Sequence, residues 1–303
     1  MGQALSAEQV ARYREDGFLC PLPALSPTEA RDCRMMLEAF EASQGRPLGQ
    51  LPGQLRAKTH LLFPWLDDLV RHPAVLAAVE DLIGPDLLVY HLTMWIKEPG
   101  DATFVSWHQD GTYFGLDPAD QHVTAWVALA DSTPATGCVV ALPGSHRRGQ
   151  LPHVSHRSAS NLLSNGQEVD ADVDGTRAVP LVARAGEFSL HHTHLLHSSA
   201  PNRGRDRRIG VGISYIPTRV RHVGPRRLTA SLVRGHDRYG HFDPEPRRAP
   251  TSTRRRARPT RRPARASSAA TAPSAPRSPA RSGATAAAPA CSFERTRATP
   301  RSP

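Results

Sequence analysis

Residues 87–110 read LLVYHLTMWIKEPGDATFVSWHQD, and this stretch decides the class of the fold. It holds two runs of strand composition, 87–97 and 104–110, split by the turn signal Glu98-Pro99-Gly100. Downstream the same texture continues, with strands predicted at 123–130, 138–142, 187–192 and 209–216. Thr133-Pro134, Pro143-Gly144, Ala185-Gly186 and Pro201-Asn202 punctuate them. Short strands with no helices between them predict a mainly β domain, a sandwich, barrel or jelly roll. Residues 147–180 lack a clear period and are expected to form one long loop, of the kind that often closes over a site.

Upstream the period is helical. Ser6-Ala7-Glu8-Gln9 is a capping box, Leu5 and Val10 can staple it, and Gly17 is a stop. Ser26-Pro27-Thr28-Glu29 repeats the signal, and Ala30, Cys33, Leu37 and Phe40 follow at helical spacing. A third helix fits 73–83, with Val75, Val79 and Leu82 inward and Gly84 at its end. The expectation is one domain over 1–246: a helical part at about 1–85, packed outside a β core at about 86–220.

Charge is unevenly spread. The chain carries a net +10, yet residues 247–303 hold 14 arginines against one glutamate, which leaves the first 246 residues slightly acidic. That tail has no Ile, Leu, Val, Met, Trp or Tyr, so it buries too little apolar surface to offset its ordering entropy and is expected to be disordered. Two origins stay open for it: a genuine extension, or a GC-rich gene read out of phase. Cys20, Cys33, Cys138 and Cys291 show no CxxC spacing, and no run reaches membrane-span length. Reduced thiols in the cytoplasm, without membrane partners, are the simplest expectation.

The chemistry concentrates in Trp107-His108-Gln109-Asp110. On a strand, residues i and i+2 share a face, so His108 and Asp110 can reach one ion. A second histidine would complete two His and one carboxylate, the set associated with non-haem Fe(II) oxygenases. By itself an HxD is weak, since most are plain hydrogen-bonding pairs. The residues alone do not choose among His191, His192, His194 and His197.

Further stretches add to this. Trp107 to Gly111 is followed by Thr124-Ala125-Trp126-Val127-Ala128-Leu129, then Gly137-Cys138, Leu142-Pro143-Gly144-Ser145-His146 and Gly186-Glu187. Last come His197 through Asn202, and Arg207-Arg208. In order and spacing, residues from about 58 to 215 resemble the phytanoyl-CoA dioxygenase family of Fe(II)/2-oxoglutarate oxygenases. The resemblance implies a double-stranded β-helix (jelly roll, cupin-like) with helices outside. It implies His197 as the third ligand beside His108 and Asp110, and His192 and His194 as supporting residues. Fe(II), 2-oxoglutarate and O₂ are the implied cofactor and co-substrates.

The resemblance also places Arg208, eleven residues after His197, on the distal carboxylate of 2-oxoglutarate, which a planar guanidinium suits. Arg207 would face the other way, as a solvated strand-edge charge. Trp126, Lys58, Thr93, Ser199 and Gln109 match co-substrate positions, although a core tryptophan is an equally good reading of Trp126. Lys97 reads as a strand-end charge. Related halogenases carry a small residue at the position of Asp110, so its carboxylate favours hydroxylation. His60, His91, Trp95, Tyr113 and Phe114 are candidates to line a substrate pocket, and Asn161 and Asn165 to close it. The expected function is hydroxylation of a small organic molecule, with specialised metabolism as the setting. Two rivals remain: a jelly-roll metal enzyme that does not use 2-oxoglutarate, and an inactive relative whose basic tail binds polyanions. No specific nucleic-acid partner is expected, because the tail lacks aromatic interleaving.

Overall fold

A computed structural model of the chain describes residues 4–156 and 158–247. The chain opens with helix α1 (Ala7–Asp16), strand β1 (Phe18–Pro23) and helix α2 (Pro27–Gln44). Short 3-10 turns then lead to α3 (Pro64–Val70) and α4 (Pro73–Ile83). Next come β2 (Leu87–Lys97), β3 (Val105–His108), β4 (Leu116–Asp117), β5 (Val123–Ala128) and β6 (Val139–Ala141). They are followed by β7 (His153–Ser155), β8 (Gln167–Val169), β9 (Val179–Pro180), β10 (Glu187–His192) and β11 (His197–Ser199). The last are β12 (Arg208–Pro217), β13 (Arg221–His222), β14 (Thr229–Arg234) and β15 (Asp243–Pro244).

Seven strands form one sheet in the order β1-β10-β5-β12-β2-β14-β15, antiparallel except for the β14–β15 pair. A second sheet runs β3-β11-β6-β9. Strand alternation decides what each face of the large sheet meets. Val123, Ala125, Val127, Ile209, Val211, Ile213 and Tyr215 point outward, into a core shared with Tyr13, Leu37, Leu66, Val70, Val75 and Val79 of the helices. The alternate residues Trp126 and Ala128 join Phe18 in a second core with Val139, Ala141 and Leu181 of the small sheet. Three layers result: helices, large sheet, small sheet. The space between the two sheets is where functional side chains collect.

Both capping boxes form, at Ser6 with Gln9 and at Ser26 with Glu29, and Gly17 ends α1 in the left-handed region. Strand β2 has the expected bounds, as has β10. Other expectations need correction. The N-terminal part is not all helical, because β1 pairs with β10 at the edge of the large sheet. Pro21 and Pro23 hid that strand, and an edge tolerates their missing donors. Helix α3 was too short to show a period. The 147–180 segment is no plain loop: β7 and β8 pair as a hairpin, and β9 joins the small sheet. The β core also runs past 220, with β14 pairing on β2. No helix among the described residues is long and apolar enough to cross a membrane, and Cys20, Cys33 and Cys138 are free thiols. The expected disordered tail at 247–303 lies, beyond Arg247, outside the described residues, as does Cys291.

Candidate active site

Strand β3 ends at His108, two residues earlier than expected, and Asp110 opens a 3-10 turn. Gln109 stays extended at φ −119 and ψ 134, so His108 and Asp110 still project to one side. Across the small sheet, β11 pairs with β3 and sets His197 directly opposite His108. His108, Asp110 and His197 each offer one ligand atom, all within 4.8 Å of one another. Asp110 Oδ1 lies 3.6 Å from His108 Nε2 and 3.7 Å from His197 Nε2. Two imidazole nitrogens and one carboxylate oxygen, converging and nearly closed to solvent, form a donor set that fits Fe(II).

The surrounding hydrogen bonds fix which atoms converge. His108 Nδ1 bonds to the Ser106 carbonyl at 2.9 Å and His197 Nδ1 to the Leu195 carbonyl at 3.0 Å. Each carbonyl accepts an N–H, which leaves Nε2 as the bare nitrogen. Thr124 Oγ1 donates to Asp110 Oδ2 at 2.6 Å, which turns Oδ1 toward the histidines. Burial, then the neighbouring His108, pushes His197 down to about 4, so its ring is neutral at ordinary pH. Burial would raise the Asp110 carboxyl, but His197 and His108 hold it below the usual carboxylate range.

His108 and Asp110 border two cavities, and His197 borders one of them. The inner one lies between the sheets and is lined by Trp95, Trp126, His191, Ser199 and Arg208 together with the triad. Arg208 is 1 % exposed, with Nη1 bonded to the Gly137 carbonyl at 3.0 Å and its guanidinium 5.4 Å from the Trp126 ring. Its Nε and Nη2 have no partner among the described residues. A buried guanidinium with two unpaired nitrogens is costly unless an anion arrives. Burial brings it down to about 10. The outer cavity is lined by His91, Thr93, Trp95, Tyr113, Phe114 and Leu162 to Ser164, with Arg56.

The expected residues fall into three groups. Trp126, Ser199 and Arg208 share the inner cavity with the triad, and Thr93, His91, Trp95, Tyr113 and Phe114 line the outer one. Gln109 is buried beside them, but its amide donates to the Gly149 and His194 carbonyls and accepts from the Leu151 N–H, so it braces the surrounding backbone. Lys58 is engaged elsewhere: its ammonium donates to Glu245 at 2.5 Å and to Thr229, in a buried network that includes His60. Asn161 donates to Ser106 Oγ. Arg207 is not a solvated charge, since Glu38, Glu41 and Glu98 surround it. His192 and His194 are outside the triad, and the His192 ring lies against those of His146 and His194.

Three inner residues escaped sequence reasoning. Thr124 was legible, because alternation along 123–128 puts it on the face of Trp126. His191 was named only among four neighbours, and it lies in the inner cavity bonded to Ser189 Oγ at 2.8 Å. Lys97 was read as a strand-end charge and is fully buried.

The profile of the family described as phytanoyl-CoA dioxygenase matches residues 13–210. Peroxisomal phytanoyl-CoA dioxygenase of Bos taurus is 27 % identical over 241 residues, covering 72 % of this chain and 71 % of that protein. The probable alpha-ketoglutarate-dependent hypophosphite dioxygenase of Stutzerimonas stutzeri is 27 % identical over 212 residues, 69 % of this chain and 71 % of that protein. Among solved structures, the non-heme monooxygenase ThoJ in its apo form is 37 % identical, with a TM-score of 0.68 over 79 % of this chain and 88 % of its own.

Proposed function

The chain belongs to the phytanoyl-CoA dioxygenase family and is a 2-oxoglutarate-dependent non-haem iron dioxygenase; from that premise we propose that it hydroxylates a small organic substrate held in the outer cavity. The observation that carries the reading is that His108 and Asp110 border both cavities, with the Arg208 guanidinium, two of its nitrogens unpaired, lining the inner one. We read the two facing sheets as the double-stranded β-helix of this family. An enzyme without a 2-oxo diacid would have no use for a buried cation lacking an anion, which disfavours that rival.

Bound Fe(II), 2-oxoglutarate and O₂ supply the oxidation of a C–H bond, and the chain supplies placement. His108, Asp110 and His197 would hold the metal. Arg208 would pair with the distal carboxylate of the co-substrate, beside Trp126, which lines the same cavity. Trp95 borders both cavities, so it separates co-substrate from substrate. Phe114, Leu162 and Leu163 exclude water from the outer side. None of these roles needs a separate general base.

The outer cavity also supports a reading of substrate character. Its walls are largely aromatic and aliphatic, and burial keeps His91 neutral by pushing it down to about 4. Asp110 is its one acidic residue, and Arg56 its one charged residue away from the metal. An apolar body bearing an anionic group suits such a lining better than an amine. The relatives' own names, a phytanoyl-CoA and a hypophosphite dioxygenase, differ too widely to supply a substrate.

The test is anaerobic. Fe(II) and then 2-oxoglutarate are added to the purified chain, and the weak visible charge-transfer band of the chelate is sought. The band is expected in wild type and is lost in His197→Ala and Arg208→Ala. A folded protein that shows no band overturns the co-substrate reading.

A further inference from the structure

Two buried cations meet at the rim of the inner cavity. Arg208 and Lys97 are register partners on β12 and β2, 1 % and 0 % exposed. Arg208 faces the cavity. The Lys97 ammonium does not line it, and makes contacts to Ser199 Oγ at 2.7 Å, the Ser199 carbonyl at 3.1 Å and the Ala200 carbonyl at 2.5 Å. An ammonium has three protons and no lone pair. Two protons go to carbonyl oxygens, which only accept, and the third goes to Ser199 Oγ. The Ser199 hydroxyl then cannot give its own proton back to Lys97. Ser199 lines the inner cavity together with Arg208, so its O–H is free to donate there.

We infer that Lys97 is a positioning residue that fixes Ser199 as a hydrogen-bond donor to the distal carboxylate of 2-oxoglutarate, beside Arg208. The inference rests on the co-substrate reading given above. A lysine this deeply buried needs a reason, and no carboxylate among the described residues bonds to it. Burial first, and Arg208 second, brings Lys97 down to about 7, while Cys138 and Asp101 oppose that shift. A carboxylate arriving nearby favours the ammonium, so the diacid itself reinforces the arrangement that receives it. Were Lys97 only a brace for β11, its removal would loosen the fold without regard to the ligand's far end.

Calorimetric binding to the anaerobic, Fe(II)-loaded full chain separates these cases. Two ligands are compared: 2-oxoglutarate, and 2-oxopentanoate, which keeps the chelating end and has a methyl in place of the distal carboxylate. Lys97→Met and Ser199→Ala are each expected to weaken 2-oxoglutarate by about tenfold, the scale of one charge-assisted hydrogen bond. Both should leave 2-oxopentanoate within about twofold, and the double variant should bind no worse than the weaker single one. Equal weakening of both ligands, no weakening, or additive losses would overturn the inference.

A second measurement needs no change at Lys97, should that variant fold poorly. At pH 8, binding of 2-oxoglutarate to wild type should take up protons, read from its enthalpy in buffers of different ionisation heat, and 2-oxopentanoate should not. Equal proton uptake with both ligands counts against Lys97. If wild type does not prefer 2-oxoglutarate over 2-oxopentanoate, the co-substrate reading itself fails and this inference goes with it. A preference retained in full by both variants sinks the inference alone.

Discussion

Asp110 uses its two carboxylate oxygens differently, and Thr124 is the reason. The hydroxyl at 2.6 Å occupies Oδ2, so Oδ1 faces the two histidine Nε2 atoms. Thr124→Val keeps the shape of the side chain and removes the donor. We expect Fe(II) affinity to fall about tenfold, as is common when a ligand loses its outer hydrogen bond, with little change in melting temperature. Metal titration of the apo-protein checks this, and an unchanged affinity would show that Asp110 is held by the backbone alone. The same logic applies to the Ser106 and Leu195 carbonyls, which select the histidine tautomers but cannot be removed by substitution.

Strand β12 shows how one element serves two purposes. All ten of its residues are buried. Ile209, Val211, Ile213 and Tyr215 anchor the helical layer, and Tyr215 also donates to the Val70 carbonyl at 2.8 Å. Arg208, Gly210 and Gly212 face the small sheet. A Cβ on Gly210 would lie 1.9 Å from the Trp126 ring, and one on Gly212 would lie 2.8 Å from Trp95 Nε1. These glycines make room for the two tryptophans that line the inner cavity. Gly210→Ala should displace Trp126 and cost about 1–3 kcal/mol, the usual penalty for overpacking. Thermal melting reads the loss, and 2-oxoglutarate binding should weaken with it; a Tm unchanged from wild type would contradict the close approach. On β2 the register slips opposite Ser214 and Tyr215, so that His91, Thr93 and Trp95 reach the cavities while Leu92 and Met94 face the helices.

At the scale of the whole molecule, buried histidines couple stability to pH. Burial pushes His122 and His91 down to about 4 and His192 to about 3. Their folded values lie below the unfolded value of about 6.5, so between these limits the unfolded chain binds more protons. Their contribution is therefore complete above about pH 6.5 and is lost as pH falls toward 4, each group adding a slope of up to about 1.4 kcal/mol per pH unit. Denaturant melts from pH 8 to pH 4.5 should show stability flat and then falling; a rise on acidification would refute this. A second long-range tie joins Glu245, near the end of the described chain, to Lys58 and His60 before the β core. Ser231 and Thr229 complete the network, and the Glu245 side chain is 2 % exposed. Glu245→Ala strands Lys58 and His60 and should cost about 3 kcal/mol in the same melts, whereas Asp172→Ala, at an exposed position, should change little.

What the sequence determined by itself was local. Capping boxes, the stop at Gly17, the bounds of β2 and β10, and the HxD pair depend on near neighbours, so composition and period expose them. Trp126, Ser199 and Arg208 were reachable only through what the family resemblance implies. What only the tertiary structure decided depends on strands that are distant in sequence. It brought His197 opposite His108, buried Lys97 behind Ser199, and committed Lys58 to Glu245. It also turned Arg207 from an apparent surface charge into the partner of three glutamates. Lys97, read as a strand-end charge, is buried because strand pairing with β12 places it between layers, and no period in the sequence reports which layer will close over a side chain.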